Sequence, residues 1–244
     1  MVLLAVFPTA FFLVAPYSEA PFLLFALLAF WGARRERWWV AGLAGAAAAL
    51  TRNVGLLLVP ALVIEAVHRW RTDGGRLAPR LAGAVAPAAG TLAYFAYWAS
   101  RTGDWLEPLT VQTTWQRTAV IPITALAEGT REAFSWFGTF PGGYHLVDWL
   151  LVAPVVAAAV WAVFVLRPSY VVYMWLGLLV PLTYTFEPRP LMSIPRFVLV
   201  LFPFFWVEAE AIERSWIPRT GLVAVSAAGL GALTLLFVNW YYIF

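Results

Sequence analysis

The chain has 244 residues, no cysteine and a formal net charge of +3; 62% of it is hydrophobic, 12% is charged, and mean hydropathy is +0.78. A soluble domain carries about 45–50% apolar and about 25% charged residues, so this composition excludes an ordinary soluble globule and predicts a polytopic integral membrane protein. Without cysteine there is no disulfide framework, thiol chemistry or Cys-bound metal, and basic residues dispersed over loops argue against nucleic-acid binding.

In lipid the backbone must satisfy its own hydrogen bonds. A barrel strand alternates apolar and polar residues, whereas runs such as Val152 to Val165 are solidly apolar. The expected fold is therefore all-α, a polytopic transmembrane helical bundle. The predicted helices are 2–15, 19–33, 38–51, 54–69, 80–100, 145–166, 170–186, 197–212 and 220–243, about nine membrane helices in one transmembrane domain spanning 1–244. The first three are shorter than the ~20 residues of a full span, so they tilt, extend into their flanks or pack as partial spans. Met1 to Ala15 lacks a basic n-region and a good cleavage site, so it does not read as a signal peptide. It starts inside an apolar run, the pattern expected of a truncated chain or a late start codon. All the basic residues are Arg and none is Lys; with the many Ala, Gly and Trp, this composition suggests a high-GC bacterial gene.

The first unusual blocks are Phe7-Pro8-Thr9-Ala10-Phe11-Phe12 and Ala15-Pro16-Tyr17-Ser18-Glu19-Ala20. Ser18 can cap the following helix, with Glu19 well placed in its first turn. Alternatively, Tyr17 and Glu19 line a polar cavity; the two readings are compatible. Thr51-Arg52-Asn53-Val54-Gly55 then puts an always-charged guanidinium at the turn between two apolar helices. Arg52 either snorkels at a helix end or holds a phosphate through two donors, with Asn53 adding another where a helix begins.

The segment 101–144 is too long for a turn and too polar to span. Asp104-Trp105-Leu106-Glu107-Pro108 opens it with helix-starting residues, and Pro122 starts a second helix whose wet face carries Glu128, Arg131 and Glu132. One or two outer interfacial helices are expected, with aromatics at headgroup level. Pro141-Gly142-Gly143 is a turn before the next span. Gln112-Thr113-Thr114-Trp115-Gln116-Arg117 is either an interfacial anchor or a recognition site, with Gln112 and Trp115 suited to a sugar and Arg117 to a phosphate. Glu187-Pro188-Arg189-Pro190 and Ser193-Ile194-Pro195-Arg196-Phe197 form a Pro-stiffened loop. It holds either a surface salt bridge or an Arg196 poised for a lipid phosphate.

Alternating the helices puts ten Arg on one side: Arg34, Arg35, Arg37, Arg69, Arg71, Arg76, Arg80, Arg167, Arg214 and Arg219. The opposite side receives Arg52, Arg101, Arg117, Arg131, Arg189 and Arg196. The positive-inside rule makes the first side cytoplasmic, and the unusual residues then collect outside. His68 and His145 fall on opposite sides and cannot share a metal; no metal or cofactor is expected. There is no phosphate-binding Gly loop, HExxH or GxSxG. Glu208 and Glu210 suit snorkelling to the inner interface better than a proton relay.

Phe7-Pro8-Thr9-Ala10-Phe11-Phe12 and Ala15-Pro16-Tyr17-Ser18-Glu19-Ala20, followed by Leu50-Thr51-Arg52-Asn53-Val54-Gly55, resemble the PIG-V-like mannosyltransferases. These comprise the GPI second-mannose transferase and its bacterial relatives within the GT-C membrane glycosyltransferases. Gly103-Asp104, the stretch from Gln112 to Arg117, and Ile194-Pro195-Arg196-Phe197 look like the outer-loop and late-helix patterns of the bacterial members. The resemblance implies transfer of mannose, or a related hexose, from a polyprenyl-phosphate donor to a glycan, lipid or protein acceptor on the non-cytoplasmic face. For that chemistry the candidate substrate-binding residues are Tyr17, Arg52, Asn53, Gln112, Trp115, Arg117 and Arg196, with Glu19 in a supporting role. The family's acidic base is expected in a segment preceding Met1, so the chain reads as the carboxy-terminal two-thirds of such an enzyme. The competing readings are a non-catalytic membrane fragment or subunit and a lipid or sugar transporter. A transporter should show paired broken helices and midplane charges, and no such pairing stands out.

Overall fold

The computed structural model describes residues 1–111, 117–135, 142–186, 188–214 and 218–241. It is all-α and 80% helical. Among the described residues, three helices are long and apolar enough to cross a membrane, Asn53–Asp73, Gly143–Val165 and Arg219–Val238, as a membrane protein requires. Trp38–Thr51 and Pro168–Leu182 are shorter apolar helices.

The chain divides into two compact units, Met1–Tyr17 with Arg117–Leu166 and Gly177–Phe244 (unit 1), and Ser18–Gln116 with Arg167–Leu176 (unit 2). Unit 2 is built on α2 (Glu19–Arg34), α3 (Trp38–Thr51), α4 (Leu58–Asp73, preceded by the 3-10 turn Asn53–Leu57) and α5 (Leu77–Thr102), with the start of α9 (Pro168–Leu182). Helix α2 stops because Glu36 takes a left-handed conformation (φ 58°) and Arg37 N–H returns to the Gly32 carbonyl at 2.8 Å. That is a Schellman stop, usually served by Gly. The Glu36 carboxylate accepts from Trp38 Nε1 at 3.2 Å and from Arg80 Nε at 2.9 Å. Helices α3 and α5 run parallel and close, because small residues face each other. A Cβ on Gly45 would sit 2.6 Å from Pro87 Cγ, and one on Gly42 would lie 3.2 Å from Gly83 Cα. Phe30 packs on Tyr170 and Tyr173 at 5.0 and 5.4 Å.

Unit 1 contains α1 (Val2–Ala5), a 3-10 turn (Ala10–Leu13), α7 (Pro122–Ser135), α8 (Gly142–Val165), α10 (Ile194–Val198), α11 (Pro203–Arg214) and α12 (Arg219–Val238). The expected helix 2–15 does not form as one piece: it breaks after Ala5, where Pro8 has no N–H to continue the ladder. Ring packing replaces it. Phe7 lies edge-on to Phe204 and Phe205 at 5.9 and 5.4 Å, while Phe11 and Phe12 meet Phe237. The expected 170–186 helix stops at Leu182. Tyr184–Phe186 (β2) instead pairs antiparallel with Arg117–Ala119 (β1), Arg117 opposite Phe186. The expected 197–212 helix splits into α10 and α11, separated by residues 199–202.

Pro122 does open a helix, and Glu128 and Arg131 lie on its exposed face while Ala125, Gly129 and Ala133 are buried. Among the described residues that follow Asp104, up to position 111, one short helix forms, α6 (Glu107–Thr110), and Leu106 N–H donates to Asp104 Oδ1 at 2.7 Å just before it.

Candidate functional site

In unit 2, α3 ends where Arg52 turns extended (φ −152°, ψ 137°), and Thr51 Oγ1 donates back to the Ala48 carbonyl at 2.7 Å. The next turn is tight: Gly55 N–H reaches the Arg52 carbonyl at 2.9 Å, and a Cβ on Gly55 would lie 2.5 Å from Ala49 N. Only Gly fits there, which places Arg52 and Asn53 at a fixed corner.

The Arg52 side chain is 7% exposed and the Glu19 side chain 0%, and Arg52 Nη1 donates to Glu19 Oε1 at 2.5 Å. The guanidinium carbon lies 6.0 Å from the Phe22 ring centre. Ser18 makes no capping hydrogen bond, so Glu19 is a buried ion-pair partner rather than a residue serving a capped helix end. Beside the pair is a cavity of about 200 Å³ whose walls include Thr51, Arg52, Asn53, Tyr94, Phe95 and Pro108. Asn53 is exposed and Tyr94 and Phe95 are half-buried. The cavity thus offers a cation and an amide on one wall and aromatic surface on another, a combination suited to an anionic head with an apolar body.

In unit 1, the Arg196 guanidinium carbon lies 5.7, 5.1 and 5.3 Å from the ring centres of Phe12, Tyr17 and Phe197. Thr9 Oγ1 donates to the Pro195 carbonyl at 3.1 Å and ties the preceding loop down. Ser193 has φ 69°, a costly conformation for a non-glycine residue, and its Oγ accepts from Arg117 Nη2 at 3.3 Å. Tyr17, Arg117 and Arg196 are therefore gathered around one loop. Gln112 and Trp115 lie outside the described residues.

The sequence reading missed two constellations. Arg189, expected in a surface salt bridge, is buried: its Nε and Nη2 donate to Asp148 Oδ2 and Oδ1 at 2.6 and 2.8 Å, and Tyr144 lies 5.1 Å from its guanidinium carbon. Its sequence neighbour Glu187 lies outside the described residues. Glu65, 1% exposed, is the second. Its Oε1 lies 3.1 Å from Arg34 Nη1, 3.5 Å from Arg69 Nε and 3.8 Å from Arg167 Nη1, and its Oε2 accepts from Ser169 Oγ at 2.8 Å. An acidic residue within an apolar run was the available signal for Glu65, between Leu58 and Val67, and for Asp148 in α8; nothing in the sequence signalled that Arg189, 41 positions away, is the partner of Asp148.

Comparison with protein-family models, with curated protein sequences and with solved structures gives no match to this chain.

Proposed function

We propose that the chain is a GT-C-type glycosyltransferase of a bacterial plasma membrane, a multi-pass bundle of about nine spans. It transfers mannose or a related hexose from a polyprenyl-phosphate donor to a glycan, lipid or protein acceptor on the non-cytoplasmic face. The observation that carries this reading is the Arg52–Asn53 corner with its adjoining cavity of about 200 Å³. A lipid phosphate leaving group needs a fixed donor where negative charge develops. Arg52 offers a planar fork, Glu19 holds it, and the wall formed by Tyr94 and Phe95 suits the apolar part of such a donor. Arg196, among its three rings, is a second candidate cation in unit 1, with Tyr17 and Arg117 in supporting roles. No residue is assigned as the base that activates the acceptor hydroxyl.

The test is Arg52→Lys, which keeps the charge and loses the two-donor fork. In the full-length protein, supplied with polyprenyl-phosphate mannose and a membrane extract as acceptor source, the variant should lose transfer by roughly a hundredfold. Its thermal unfolding midpoint in detergent should stay near that of the parent chain. Transfer at the parent rate with Lys would leave Arg52 as a structural residue and remove the main support for the reading.

A further inference from the structure

The Glu65 end of unit 2 carries more positive charge than its own carboxylates balance. Arg34, Arg69 and Arg167 converge on one carboxylate oxygen of Glu65, and Arg80 pairs with Glu36 at 2.9 Å. Arg69 also reaches Asp73 at 2.8 Å. Four guanidinium groups thus meet three carboxylates, and the sequence has no other acidic residue between positions 20 and 103. Arg35, Arg37, Arg71 and Arg76, all exposed, flank the same helix ends and add to the excess.

We propose that this end of unit 2 is a binding site for the phosphate of anionic phospholipid headgroups. Buried Glu65, fixed by Ser169, sets the positions of Arg34 and Arg167, whose side chains remain 31% and 45% exposed. Each has one nitrogen near Glu65, and the rest of the guanidinium fork suits a phosphate oxygen pair. A second observation points to lipid rather than a soluble anion. Trp31, Trp39 and Trp70, exposed by 43%, 70% and 42%, surround these helix ends, and Trp collects at headgroup level. On α2 the exposed residues Leu24, Leu27, Leu28 and Trp31 form one stripe at helical spacing that runs up to Arg34 and Arg35. An acyl chain can lie along that stripe while its phosphate meets the guanidinium groups. This site is separate from the Arg52 corner and does not depend on the transferase reading.

The experiment uses the full chain in detergent, with phosphatidylglycerol, phosphatidylcholine or inorganic phosphate added, and reads both thermal unfolding and lipid retention by native mass spectrometry. Phosphatidylglycerol should raise the unfolding midpoint and be retained; the other two should do neither. Arg167→Gln alone, at the most exposed of the network positions, should weaken phosphatidylglycerol retention about fivefold. The double variant Arg34→Gln/Arg167→Gln should lose it further, and Arg101→Gln/Arg131→Gln should leave it unchanged. Equal retention of phosphatidylcholine, full retention by Arg167→Gln and the double variant, or the whole effect from inorganic phosphate alone would overturn the proposal.

Discussion

Unit 2 buries a carboxylate in two places, and the two are built differently. Glu19 pairs with Arg52, which is itself almost fully enclosed. Glu65 meets three guanidinium groups and a hydroxyl, and all three Arg side chains reach solvent. When one member of an enclosed pair is lost, the survivor keeps its charge without water. A network with exposed members can rehydrate what is left. The Glu19–Arg52 corner is accordingly suited to holding one group in one place, while the Glu65 cluster is suited to tolerating rearrangement as ligands come and go.

The largest expected effect breaks the enclosed pair. Glu19→Ala should destabilise the chain by about 3–5 kcal/mol, read as a fall in the unfolding midpoint in detergent. The double replacement Glu19→Met/Arg52→Met should recover most of that loss, since it removes both charges; failure to recover would show that packing, not the unpaired charge, sets the cost. Next comes the turn that fixes the corner. Gly55→Ala pushes a methyl into the Ala48–Ala49 backbone and should cost roughly 1–3 kcal/mol. At the other end, Gly75 has a positive φ (83°), unlike Gly55, but a Cβ there would meet only Arg80 Nη2, at 3.5 Å. Gly75→Ala should therefore cost only about 1 kcal/mol, from backbone strain alone. The smallest effect is expected from Arg34→Ala. Arg69, Arg167 and Ser169 still hold Glu65, so the loss should stay near or below about 1 kcal/mol. A larger fall for Arg34→Ala than for Glu19→Ala would erase the distinction between the two ends.

Much of this was legible from residue order. The periodicity and the Arg breaks mark α2 and α3 to within a residue, and Pro122 marks the start of α7. Arg52 stands out as a charge between apolar runs, and Tyr17, Arg117 and Arg196 as polar residues in aromatic surroundings. Arg34, Arg69, Arg80 and Arg167, which alternation of the helices groups together, do meet in one network with Glu36 and Glu65. The misses share a cause. The 2–15 and 170–186 runs are apolar enough for helices, but Pro8 interrupts the first and pairing with β1 takes the end of the second. Apolarity reports burial, and burial can be met by ring packing or a strand as well as by a helix.

By itself, the sequence determined the solvent this chain requires and the limits of α2 and α3, because apolar period, Gly, Pro and Arg act over a few residues. It also determined which residues are too polar for their surroundings. Only the tertiary structure decided their partners. Glu19 and Arg52 are 33 positions apart, Asp148 and Arg189 are 41, and Glu65 and Ser169 are 104. A buried charge must find an opposite charge in space, and which one it finds depends on how whole helices pack, not on any local pattern along the chain.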